Sequence, residues 1–381
     1  MTGRTRFLNS IALGVLPFVF SLPTTASPAL TMRDVFDALA YLLPLSAQYS
    51  ADIDDEDRDL IDSHLHILQS ASEDLVNHAR GHERDFELHA KSFDLMVEHT
   101  AHAFKRGWPQ HAHYSMLQLT EHCVSCHSRY PARSEDSFGQ RLMARMKVDE
   151  IPAWPRARLY VATRQFDAAL SDMEKNLMAP WTGAVDADLQ GSLVDYLRIS
   201  LSVYESLTRP REFLIEYRKR DLPYFLDNRI EHWLGALDRN EVLFTTGLDD
   251  LNLAQQLFEE ATTSTLVPGS WLRAVEDFLA ARIFRDYLRK HKDAAPAVQA
   301  KIYYQLAIIT LRTAQPDPTV PEMEMQLVAC IEAEPRGPYA RRAFALLQEY
   351  GYVPDDHLAD HDPSNPFIDM VALRQKVGLA R

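Results

Sequence analysis

Apolar positions in the first third of the chain recur with a helical period. Met32, Phe36, Leu39 and Leu43 are spaced three or four apart, the interval at which side chains share one face of an α-helix. Thr31 with Asp34 makes a capping-box-like start, and Pro44 is expected to bend or end the helix. A second stripe, Leu60, Ile61, Leu65, Leu68, Ala71, Leu75 and Val76, follows an acidic turn at 52–57, whose carboxylates suit a helix N-terminus. Gly81 separates it from a third stripe of Phe86, Ala90, Phe93, Val97 and Ala101, and Gly107-Trp108-Pro109 punctuates again. A fourth helix then carries Tyr114, Leu117 and Leu119. No strand-like alternation of useful length interrupts these four stretches. Short connections between them predict an antiparallel four-helix bundle, whose core can hold a cofactor between facing helices.

Beyond this region the pattern stays helical but changes character. The segment 147–155, with Pro152 and Pro155, reads as a linker between a first domain at 30–146 and a second at 156–381. Phe166, Ala169, Leu170, Met173 and Leu177 recur before Pro180. A similar run from Tyr303, Leu306, Ala307 and Leu311 continues through Leu327, Cys330, Ile331 and Pro335. Further helical stretches lie at 189–207, 229–239, 251–261 and 271–290. These positions resemble the second-helix pattern of tetratricopeptide proteins, although most first-helix positions are absent and the period is not held throughout. The resemblance implies an array of α-helical hairpins, and an irregular all-α domain is the alternative. The fold class expected for the whole chain is all-α.

Composition agrees with a folded chain of more than one domain: 381 residues, 46% hydrophobic and 25% charged. A formal charge of −14 disfavours sequence-independent nucleic-acid binding, which needs a cationic surface. At the N-terminus, Arg4 and Arg6 precede an uncharged, largely apolar stretch at 7–22, followed by Pro23-Thr24-Thr25-Ala26. This pattern reads as a signal peptide over 1–26, cleaved after Ala26, and places the mature protein in the periplasm. The apolar run is shorter than the roughly 20 residues that span a bilayer, and Pro17 interrupts it, so no stable membrane span is expected.

The fourth helix ends in Cys123-Val124-Ser125-Cys126-His127, the C-x-x-C-H signature of covalent haem attachment. Residues i and i+3 share a helix face, so both thiols can bond one porphyrin, and the imidazole at i+4 points to the iron from the same side. A redox pair would expect a thioredoxin-like βαβ setting, and a zinc site would need a second ligand pair. Neither is evident around the motif, although nearby histidines leave zinc open. One covalently attached haem c is therefore expected, with His127 as axial ligand. Cys330, on the apolar run Leu327-Val328-Ala329-Cys330-Ile331, reads as a buried packing residue.

Together the four helices and this motif resemble the cytochrome c prime family, over about a third of the chain. The matching residues are Cys123, Cys126, His127 and Tyr130. Where that family commonly has a basic residue after the aromatic, this chain has Pro131, with Arg129 and Arg133 nearest. The resemblance implies a four-helix bundle with one haem near the end of its last helix and a distal residue from its first. Met32 is then the candidate distal ligand, Met96 a weaker one, and Phe36, Leu39 and Leu43 would otherwise wall an apolar pocket. Eleven of the 15 histidines lie between His64 and His127. Most flank the apolar stripes and read as partly exposed; His99 and His102, one turn apart, are the pair with chelating spacing. Met178, 51 residues after His127, is the ligand that a class I cytochrome reading would use.

Several functions fit this reading. An exported cytochrome would transfer electrons or bind a small gaseous ligand, its C-terminal helices docking a redox or other protein partner. Alternatively, the haem would be structural and the chain a periplasmic interaction or assembly scaffold. A peroxidase-like enzyme would need polar distal groups that the first helix does not offer. Pairing of two copies through exposed apolar faces is the oligomer such bundles often form.

Overall fold

The computed structural model describes residues 28–47, 55–107, 109–129, 137–144, 148, 151, 153–180, 187–204, 206–246, 251–262, 271–314, 321–350 and 368–379. The expected signal peptide, Tyr130, Pro131 and Arg133 lie outside them. Among the described residues every regular element is helical and no strand occurs. The fold class is therefore all-α.

The first four helices are α1 (Pro28–Ala47), α2 (Asp55–Ala79), α3 (Arg84–Lys105) and α4 (Pro109–Arg129). α1 packs on α2 and α4, α2 on α3, and α3 on α4, which closes a ring of contacts around a shared core. Gly81 (φ +80°) and Gly107 (φ +72°) sit just past α2 and α3, in the left-handed conformation that ends a helix without the Cβ penalty. Two expectations for α1 need correcting. It begins at Pro28, so Thr31 lies inside it and is buried. It also runs through Pro44 to Ala47, because a proline in the last turn interrupts few backbone bonds. Its buried stripe is Val35, Phe36, Ala38, Leu39, Leu42 and Leu43, and Met32 is half-buried at the edge.

The remaining helices are α5 (Ser137–Met143), α6 (Ala153–Ala162), α7 (Phe166–Leu177), α8 (Ala187–Val203), α9 (Thr208–Tyr217), α10 (Tyr224–Thr246), α11 (Leu251–Thr262), α12 (Ala274–Lys290), α13 (Pro296–Thr313), α14 (Pro321–Ala333), α15 (Pro338–Tyr350) and α16 (Met370–Lys376). Sequence neighbours pack on one another: α6 with α7, α7 with α8, α11 with α12, α13 with α14, and α14 with α15. The chain turns between α6 and α7 at Arg164, with φ +59°. In α14 every residue from Pro321 to Ile331 is buried, as expected of a helix surrounded by neighbours. Cys330 is among them, fully buried, and burial pushes its thiol up to about 12.

The two halves of the chain are packed directly together. α4 touches α6 and α8, and α3 touches α14. Ile151 and Leu159 join the core of α1 to α4, whereas Val124 of α4 is fully buried in the cluster built by α6, α7 and α8. No helix of the described residues is long and apolar enough to cross a membrane.

Candidate functional site

The last turns of α4 carry both the candidate chemistry and the side chains that anchor the helix. Cys123 and Cys126 are free, half-buried thiols. Cys123 packs against the core shared by α1 to α4, the same cluster on which Met32 rests. Burial pushes the Cys123 thiol up to about 12, and the neighbouring Cys126 adds to the shift. Burial likewise holds Cys126 at about 11, with Arg129 and Arg164 pulling the other way. A thiol in this state is almost wholly protonated at neutral pH, whereas disulfide exchange needs a lowered pKa. The pair is therefore ill suited to act as a redox dithiol.

His127 Nδ1 lies 3.3 Å from the carbonyl oxygen of Val161 at the end of α6. A carbonyl only accepts, so Nδ1 carries the hydrogen and the neutral ring keeps its lone pair on Nε2. Burial, with help from the Arg164 charge, brings the imidazole down to about 4, despite opposing hydrogen bonds to the backbone of Val161 and Ala162. The side chain is thus neutral and fixed in tautomer, the preparation that a metal-ligating histidine receives from its outer hydrogen bond. Two thiols one turn apart with such an imidazole fit a covalently attached haem. Among the described residues, no three His, Cys, Asp or Glu side chains converge as a metal-ion site.

Around the same turns, α4 is held by a buried polar network. Arg129 Nη2 donates to Glu322 Oε1 at 2.6 Å, and Ser125 Oγ donates to Glu322 Oε2 at 2.7 Å. Arg129 also meets His89, whose Nε2 is 3.7 Å from Asp85. Burial would raise the Glu322 and Asp85 carboxyls. The surrounding charges, Arg129, His89 and Arg285 at Glu322 and His89, Arg129 and Arg285 at Asp85, outweigh it and hold both below the ordinary carboxylate range. His122 faces Ser92 at 3.4 Å, and burial lowers it to about 4. One turn earlier, the fully buried Arg158 donates to Thr120 at 2.9 Å and to Asp195 at 2.8 Å. Arg198 joins α8 to Glu121 of α4 at 2.9 Å.

Most of the described histidines are at least partly exposed, in keeping with the sequence reading, but His89 is buried inside this network. Met96 is buried in the core of α1 to α4, and Met178 is exposed at the end of α7. Glu322, Arg158 and Val161 escaped the sequence reading because each is brought to α4 by tertiary packing, with no local motif to mark it. No protein-family model, curated protein or solved structure matches this chain.

Proposed function

We propose that the chain is an exported c-type cytochrome carrying one haem, linked to Cys123 and Cys126 and ligated by His127. In this reading α1 to α4 are a four-helix haem bundle of the cytochrome c prime kind, and α6 to α16 are a tetratricopeptide-like array that docks a protein partner. The observation that carries it is the Val161 carbonyl on Nδ1 of a neutral His127, on the same helix as two free, half-buried thiols at the spacing of covalent haem attachment. A haem bound there supplies a one-electron couple or a site for a small ligand. The chain holds the imidazole neutral and oriented, and walls the core next to Cys123 with apolar side chains from α1 and α3. Met32, half-buried against that core, is the distal ligand to test.

Mass spectrometry of the protein from cells competent in cytochrome maturation tests the attachment. Retention of haem mass after denaturation supports it, and two unmodified sulfurs overturn it. Spectra of the oxidised, reduced and carbon monoxide-treated forms then separate electron transfer from ligand binding. A second reading, a scaffold stabilised by its haem, draws on the polar network that ties α4 to α8 and α14. It predicts a haem that is attached but inert towards both electron donors and small ligands.

A further inference from the structure

The chain as a whole is acidic, with a formal charge of −14, yet one cavity of about 500 Å³ concentrates the opposite charge. Arg84, Arg129, Arg282, Arg285, Arg289 and Lys292 line it. The acids on its wall are Glu83, Asp85 and Asp286, so lining cations outnumber lining carboxylates two to one. Its volume lies within the range of small-molecule sites, about 300 to 1,000 Å³.

The chemistry of the lining favours an anion over a cation or a neutral ligand. Arginine forks match carboxylate and phosphate oxygens, and they are less strongly hydrated than ammonium groups. Arg282 is fixed by the carbonyls of Leu201 at 2.9 Å and Tyr204 at 3.1 Å, which orders its guanidinium before any ligand arrives. Gln299 and Tyr303 add neutral polar groups. Burial pushes the Tyr303 hydroxyl up to about 12, so it remains a donor at neutral pH. The first residues of α3, Arg84 and Asp85, also border the space, and Glu83 makes no side-chain capping bond there. Carboxylates of Glu83, Asp85 and Glu87 already meet the N-terminal field of α3, so the attraction for an anion comes from the arginines.

We infer that this cavity, between the start of α3 and the facing α12 and α13, binds a small polyanion carrying two or more carboxylate or phosphate groups. Multiple negative charges are required because the arginines flank the space from different elements, Arg84 from α3 and Arg282, Arg285 and Arg289 from α12. The inference does not depend on haem attachment.

Isothermal titration calorimetry of the full-length protein with citrate and with pyrophosphate tests it, acetate serving as the monovalent control at matched ionic strength. Arg289 and Lys292 lie on the exposed rim, so the double variant Arg289→Gln/Lys292→Gln tests the site without opening the core. Saturable binding of citrate or pyrophosphate, weakened about tenfold or more in the double variant, is expected. A response to citrate alone identifies the group as carboxylate, and to pyrophosphate alone as phosphate. Absence of binding by both, acetate binding as tightly as either, or affinities unchanged in the double variant would overturn the inference.

Discussion

Arg129 and Glu322 stand 193 positions apart in sequence, and their side chains meet at 2.6 Å between α4 and α14. Both are largely buried, at 12% and 11% exposure, so the pair sits where an uncompensated charge is costly. Glu322→Ala would leave Arg129 facing His89 without its main carboxylate partner. Loss of one member of a buried ion pair costs about 3 to 5 kcal/mol. Urea unfolding should therefore show a much lower midpoint for Glu322→Ala, and a smaller decrease for Glu322→Gln, which retains the hydrogen-bonding shape.

The buried His122 predicts a specific window of acid sensitivity. Its folded pKa is depressed to about 4 by burial, with His89 and Arg129 adding to the effect against Glu322. Unfolded histidine binds its proton near pH 6.5. Between these values the unfolded chain holds the extra proton, so stability is fully present above about pH 6.5 and falls as pH drops towards 4. Replacing His122 by Gln should flatten the slope of melting temperature against pH in that window. An unchanged slope would place the titration elsewhere. Asp85 and Glu322, held below the ordinary range by neighbouring cations, lose their contribution only at lower pH.

The sequence made the helices and the motif legible because both are local. Periodicity found α1 to α4, and glycines at 81 and 107 marked their ends, since a left-handed C-terminal residue is a local demand. The C-x-x-C-H spacing needed no tertiary information. What sets the site's behaviour was not readable in the same way. Val161 and Arg158 reach α4 from α6, Glu322 from α14 and Arg198 from α8, and no spacing rule connects them to it. Pro44 does not end α1 because it falls in the last turn, where few backbone bonds remain to be lost.

Thiol reactivity follows from the raised values at Cys123 and Cys126. In haem-free folded protein at pH 7.5, a thiol near 11 has about 100-fold less thiolate than an ordinary one. Iodoacetamide should label both cysteines on that slower timescale when folded, and rapidly in urea. Fast labelling of the folded chain would instead favour a reactive dithiol.

His127 and the two cysteines should separate cleanly by substitution. Cys123→Ser/Cys126→Ser should abolish covalent haem, read as loss of haem mass after denaturation. His127→Ala should leave the thioethers in place but change the optical spectrum, because only the axial ligand is lost. Loss of Nδ1 anchoring is not reproducible by a side-chain change at Val161, whose contribution is its backbone carbonyl. Val161→Ala is therefore expected to leave the spectrum unchanged while lowering stability through the deleted buried methyls, by up to a few kcal/mol.

Truncation tests how far the first four helices depend on the rest. A chain ending at residue 146 would lose Ile151 and Leu159 from the core of α1 to α4 and expose Val124, which is fully buried against α6 to α8. It would also strip Glu322 from Arg129 and Ser125, Arg158 from Thr120 and Arg198 from Glu121. Exposed apolar surface and orphaned polar groups on one helix should make the fragment markedly less stable than the full chain. Circular dichroism melting of the two proteins checks this. A fragment that melts cooperatively at the same temperature would mean that the contacts of α4 with α6, α8 and α14 contribute little to holding the first four helices together.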